Sequence, residues 1–118
     1  MTKKWKKPKM KHGKFTKYMW LPWNPEGIHL GHNLDIGALT YIDGKEGVYI
    51  EDNVQIGGGC HIYSHNTIED YQGSVILKKG CNIGSHSLIL PGVIIEENEI
   101  IKAKSIVYIN KKGERIIK

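Results

Sequence analysis

The chain has 118 residues, 40% of them hydrophobic and 25% charged, with a formal net charge of +5. That composition is ordinarily globular, and the length suits one small domain with a limited core, which argues against two domains. No apolar run approaches the roughly 20 residues that span a bilayer, and the basic N-terminus lacks the apolar stretch of a secretory signal.

The chain opens on a basic arm. Residues 1–18 hold eight lysines and no carboxylate, and taking those eight from +5 leaves the remainder at −3. Trp5, Phe15 and Tyr18 interleave the lysines, a pattern open to RNA, DNA, acidic lipid or a phosphorylated ligand. The plainer reading is a solvated, loosely packed terminal segment, with no nucleic-acid partner expected. Trp20 and Trp23 follow on either side of Leu21 and Pro22. They read as a cap over the open end of what comes next, with a sugar-stacking wall as the competing use.

From position 28 onward the sequence repeats every six residues. Leu30, Ile36 and Ile42 are six apart, as are Ile50, Ile56, Ile62 and Ile68, and Leu77, Ile83, Ile89, Ile95, Ile101 and Val107. A second aliphatic or small set (Ile28, Leu34, Val48, Val54, Cys60, Val75, Cys81, Ser87, Val93) precedes them by two. A helix would place apolar residues three and four apart throughout, and its glycines would cost about 1 kcal/mol each. Period six with small corners instead means short strands and tight turns, three to a coil, stacked as a parallel β-helix. About four coils fit, starting near Leu30, Ile50, Leu77 and Ile95.

Two interruptions fall at the same corner. The step from Ile42 to Ile50 is eight, and the step from Ile62 to Leu77 is fifteen, with an excursion of about nine residues over Ile68 to Ile76. Loops stacked at one corner build a wall, and walls make sites. An alternative register counts Ile68 as a rung and moves Cys81 over Cys60. The two cysteines make no disulfide framework or zinc ribbon, and read as free thiols of a cytoplasmic protein. The chain thus divides into an arm and aromatic cap (1–27), a repeat body (28–110) and a short basic tail (111–118).

The strings GIHLGHN (27–33), VYIEDNVQIGGGCHIYSHN (48–66) and CNIGSHSLILPGVIIEENEIIKAKSIV (81–107) resemble the hexapeptide-repeat acyltransferases, nearest to the galactoside and maltose type of sugar O-acetyltransferase. The resemblance covers about two thirds of the chain and implies an all-β fold, a left-handed parallel β-helix. It further implies acetyl transfer from acetyl-CoA to a sugar hydroxyl, in a homotrimer. Transfer to the amine of an amino sugar, or a non-catalytic scaffold with a binding arm, are the competing functions, because one fold hosts many activities.

By the same resemblance His65 is the general base, taking the acceptor's proton as it attacks the thioester; imidazole suits that task near neutral pH. A carboxylate would orient it, with Asp43 the first choice and Asp35 the second. Glu69 and Asp70 would face the acceptor, beside a short, open loop around Tyr71 and Gly73. CoA would lie in a groove between subunits, past Ser85 and Ala103 and their small neighbours Gly84 and Gly92. Lys111, Lys112 and Arg115 would meet its phosphates. The chain departs from the family where Lys102 and Lys104 flank Ala103 in place of glycine, and no A-G-x-P-A-like string follows the last rung; both departures favour the scaffold.

His86, in the I-G-S-H string, reads as a structural corner, His61 as outward-facing, and His29 and His32 as neighbours of the first coil. Zinc held by His61, His65 and His86, as in γ-class carbonic anhydrases, is the metal alternative. The spacing of four between His61 and His65 separates a rung from a corner, so no metal is expected.

Overall fold

The computed structural model describes residues 4–118; the first three residues of the expected arm, Lys3 among them, lie outside the described residues. Period six becomes a three-faced parallel β-helix of four coils. Face 1 stacks Ile28–Leu30, Val48–Ile50, Val75–Leu77 and Ile94–Ile95, and face 2 stacks Asp35–Ile36, Gln55–Ile56, Asn82–Ile83 and Ile100–Ile101. Face 3 is longer: Leu21–Trp23, Tyr41–Asp43, His61–Tyr63, Leu88–Ile89 and Ile106–Ile109 run parallel, and Arg115–Ile117 closes it antiparallel. No α-helix occurs among the described residues, and hence none long and apolar enough to cross a membrane.

Alternation along each short strand turns one side chain inward, so the rungs form ladders. Ile42, Ile62 and Ile89 pair in sequence and are wholly buried, as are Leu77 and Ile95. The four coils start where the repeat places them, and Leu30 pairs with Ile50, which pairs with Leu77. Ile68 is no rung: it is 92% exposed. Gln55 pairs with Asn82, which stacks Cys81 over Val54 and excludes the alternative register. Within the fifteen-residue step from Ile62 to Leu77 the excursion covers residues 64–74 instead of Ile68 to Ile76. Within it His65–Asn66 pairs antiparallel with Tyr71–Gln72, and Ile76 already lies in face 1.

The corners explain the small residues. Gly57 and Gly84 sit where the coil above passes closely: a Cβ on Gly57 would stand 2.6 Å from the Ser85 nitrogen, and one on Gly84 2.3 Å from the Ala103 nitrogen. At the face 2–face 3 corner each of the four coils, and the arm below the first, takes one residue of left-handed backbone. Met19, Leu39, Gly59, His86 and Lys104 supply it, with φ of 67°, 66°, 73°, 60° and 61°. His86 is therefore a corner residue, its ring over Gly59.

Both ends of the stack are covered. Trp20 is 1% exposed under the first coil, with Trp5, Met10 and Tyr18 packed against the same core. The arm is not loose. The Gly13 amide donates to Pro22 O at 2.9 Å, Thr16 N to Trp20 O at 2.9 Å, and Asn24 N to His12 Nδ1 at 2.9 Å. An open solenoid end exposes apolar side chains and unpaired strand edge, and covering it outweighs the ordering entropy of the segment. Trp23 takes no part in the cap: it lies outside face 3, its ring 4.0 Å from that of His12.

At the other end the tail folds back as a strand on Ile106–Ile109. Arg115 reaches to Glu99 through two bonds of 2.7 and 2.5 Å and to Ile94 O at 3.0 Å. Arg115 is thus committed to Glu99, contrary to the expectation that it is free to meet CoA phosphates.

Candidate functional site at the insertion corner

The hairpin of residues 64–74 stands out from the corner between faces 3 and 1, above the shorter insertion of residues 43–47. Its base is fixed by buried polar groups. Ser64, fully buried, donates its hydroxyl to Asp43 O at 2.7 Å and accepts the Glu46 amide at 2.9 Å. Gly73 N donates to Ser64 O at 3.0 Å, and Gly92 N to Gly73 O at 3.3 Å, seating the hairpin on the coil above. The tip is closed by Asn66, whose Oδ1 accepts the Ile68 and Glu69 amides and whose Nδ2 donates to Glu69 Oε1 at 3.0 Å.

Two concavities flank the hairpin. The first, about 340 Å³, lies toward face 3 and is lined by Tyr63, His65, Asn66, Ile68 and Leu88. The second, about 890 Å³, lies between the hairpin and the last turn, with Tyr71, Gln72, Pro91, Tyr108 and Lys111 on its walls. Glu69 and Leu90 belong to both, so the two form one continuous surface. His65, half-buried, holds the first, and exposed Lys111 the rim of the second.

Asp43 stands one coil position below Tyr63, at the hairpin's root. Its carboxylate is 8% exposed and accepts Asn24 Nδ2 at 2.9 Å and the Lys45 amide at 3.0 Å. No hydrogen bond joins it to His65; its link to that residue runs through the main chain by way of Ser64. Asp35 lies on face 2, facing the arm near Lys4 and Trp5. Glu69 does line the corner, and Asp70 is exposed at the tip with φ of 51°.

Ser85 and Ala103 stack as expected, one above the other, at the face 2–face 3 corner. The full width of face 3 separates them from His65 of the same chain. The three histidines of the metal alternative also stand apart: His61 on face 3, His65 in the hairpin, His86 at the far corner. Among the described residues no group of three His, Cys, Asp or Glu side chains is placed to hold a metal.

A feature missed in the sequence joins these parts. The outer surface of face 3 carries an aromatic ladder. Trp23 and Tyr41 have ring centroids 6.1 Å apart, Tyr41 and Tyr63 5.4 Å, and Tyr41 and His61 5.9 Å. It climbs to the His65 concavity through Tyr63. Burial, and then the Asp43 charge, push the Tyr41 phenol up to about 12, and the same two causes raise Tyr63. Both therefore stay neutral hydroxyls at neutral pH. The signal was present in the outward positions one residue either side of Ile42 and Ile62, where Tyr41, Asp43, His61 and Tyr63 recur at the coil period.

Three curated proteins match the chain. UDP-3-O-acylglucosamine N-acyltransferase of Janthinobacterium sp. (strain Marseille) is 30% identical over 91 residues, covering 68% of this chain and 26% of that protein. The protein of the same name from Herminiimonas arsenicoxydans is 29% identical over 91 residues with the same coverage. Bifunctional protein GlmU of Streptococcus equi subsp. zooepidemicus is 34% identical over 80 residues, 68% of this chain and 16% of that one. The chain thus spans about a quarter or less of the length of the relatives it matches. No family model matches it, and no solved structure matches it at the same stringency. Repeat, ladder register and these similarities together identify the chain as a hexapeptide-repeat parallel β-helix homologous to the acyltransferases built on that repeat.

Proposed function

We propose that the protein is an acyltransferase that moves an acyl group from a thioester, acetyl-CoA in the simplest case, to a sugar-type acceptor at the insertion corner. The observation that carries this reading is the placement of His65. It sits half-buried on a hairpin braced at its root, facing a concavity walled by tyrosine, asparagine and leucine side chains. A neutral imidazole there takes the proton from the attacking amine or hydroxyl, and the thiolate leaves as the tetrahedral intermediate collapses. No covalent enzyme intermediate is needed; fixing two substrates at attack distance supplies much of the rate.

Two relatives are named as N-acyltransferases of an acylated glucosamine, which favours the amine of an amino sugar as acceptor. The sugar hydroxyl is the second reading, favoured by the likeness of residues 81–107 to sugar O-acetyltransferases. The reading makes Asp43 a positioning residue that holds the hairpin root. Ser85 and Ala103 lie a face-width from His65, which suits a donor groove shared between two copies in a homotrimer. Lys111 then meets donor phosphates at the rim.

The test is release of free thiol from acetyl-CoA by the purified chain, with glucosamine and with N-acetylglucosamine as acceptors. His65→Ala is expected to lower the rate by about 10²–10⁴-fold with little loss of acetyl-CoA binding. Absence of acetyl-CoA binding by the folded protein favours the scaffold reading.

A further inference from the structure

The arm has a second face, turned away from the core it caps. Lys6, Lys9, Lys11, Lys14 and Lys17 line one shallow concavity of about 500 Å³ together with Phe15. The first carboxylate of the chain is Glu26, and among the described residues none of these lysines is in an ion pair. Beside the lysines three large apolar side chains project into solvent: Phe15 52% exposed, Met19 51% and Leu39 65%. Main-chain bonds tie their segments together: Met19 N donates to Thr16 O at 2.9 Å and Leu39 N to Met19 O at 2.7 Å.

Met19 and Leu39 occupy left-handed corner positions, with φ of 67° and 66°. One coil higher the equivalent position is Gly59, which takes that backbone without strain. Residues with a Cβ thus hold left-handed backbone at both positions, and each is more than half exposed.

We propose that this end of the solenoid docks on an anionic phospholipid surface, the lysines over the headgroups and Phe15, Met19 and Leu39 within the headgroup–acyl boundary. Lysines near such a surface and apolar side chains entering it are the two contributions that hold peripheral proteins to membranes. Single-stranded nucleic acid would instead be held by stacking on exposed rings. Trp5 packs against the core and the Tyr18 hydroxyl is engaged with Lys6, which leaves Phe15 as the one exposed ring among these lysines, beside the non-aromatic Met19 and Leu39. The proposal is independent of the acyltransferase reading.

Flotation of the full chain with phosphatidylcholine vesicles, with and without phosphatidylserine, tests it, alongside a single-stranded oligonucleotide. Expected is salt-sensitive binding to the phosphatidylserine vesicles only. Each of Lys9→Gln, Lys11→Gln and Lys14→Gln should weaken it by about fivefold. Leu39→Asn should weaken it by about tenfold or more while raising the melting temperature, because asparagine is at ease in left-handed backbone. Equal binding to neutral vesicles, no binding to either, or vesicle binding unchanged in Leu39→Asn or in a variant combining Lys9→Gln, Lys11→Gln and Lys14→Gln overturns the proposal. Were both polyanions bound, Leu39→Asn decides: it must weaken vesicle binding and spare the oligonucleotide.

Discussion

Ser64 donates its hydroxyl to the main-chain oxygen of Asp43 at 2.7 Å, one residue before His65. That bond crosses between coils and anchors the longer insertion of the solenoid to the shorter one beneath it. Both insertions serve a single site because each coil returns to the same corner, so an excursion in one coil lands above an excursion in the last.

Ser64→Ala removes the hydroxyl that satisfies both Asp43 O and the Glu46 amide. A loss of about 1–3 kcal/mol is expected, read from denaturant unfolding. Thioester cleavage should fall as well, and Ser64→Thr should not restore it, because fully buried Ser64 leaves no room for a methyl group. Unchanged stability in Ser64→Ala would remove the hairpin root as an anchor.

The Arg115 guanidinium, bonded to both oxygens of Glu99, holds that carboxyl below its ordinary value, with hydrogen bonding the leading cause. A carboxyl with a lower value folded than unfolded stabilises the fold fully above its unfolded value of about 4.5, and the stabilisation is lost as pH falls through the folded value. Melting temperatures by circular dichroism should therefore drop below about pH 4.5 in the parent chain. Glu99→Gln should be less stable at neutral pH and lose that part of the acid dependence. Parallel acid limbs in the two proteins would contradict the assignment.

Corner residues divide by cause, which chemical denaturation can separate. Gly57→Ala puts a Cβ 2.6 Å from the Ser85 nitrogen and should destabilise by about 1–3 kcal/mol, as overpacking does. Lys104→Gly relieves a φ of 61° at a cost of about 1–2 kcal/mol for the left-handed residue, offset by about 0.5–1 kcal/mol of glycine entropy. A small net stabilisation is expected. Opposite signs for the two changes are the result to look for.

Cys60 and Cys81 are fully buried, and burial is the first cause raising both thiols, Cys81 to about 12. Neither should react with a disulfide reagent at neutral pH until the protein unfolds. Fast reaction of either in the native protein would place it outside the core. Their silence leaves thiol release from acetyl-CoA free of background.

The period-six ladder was legible because each inward aliphatic occupies one rung, and strand alternation forces its neighbours outward. Ile68 kept the period by accident, and only its exposure and the pairing of Gln55 with Asn82 in the folded chain show that it lies outside the stack. His65 could be singled out by its string and its insertion. The Ser64 bond to Asp43 and the seat of Gly73 on Gly92 could not, since their partners lie 21 and 19 residues away, one turn of a coil whose insertions differ.

Repeat period, corner chemistry and coil count follow from the amino-acid order alone, because they are local and recur. The fates of the two ends do not. Whether Trp20 or Trp23 enters the cap, and whether Arg115 meets solvent or Glu99, depend on which apolar surface the finished stack leaves open. That surface exists only once the coils are assembled, and it is there that tertiary structure, through burial and long-range hydrogen bonds, decided what the arm and the tail became.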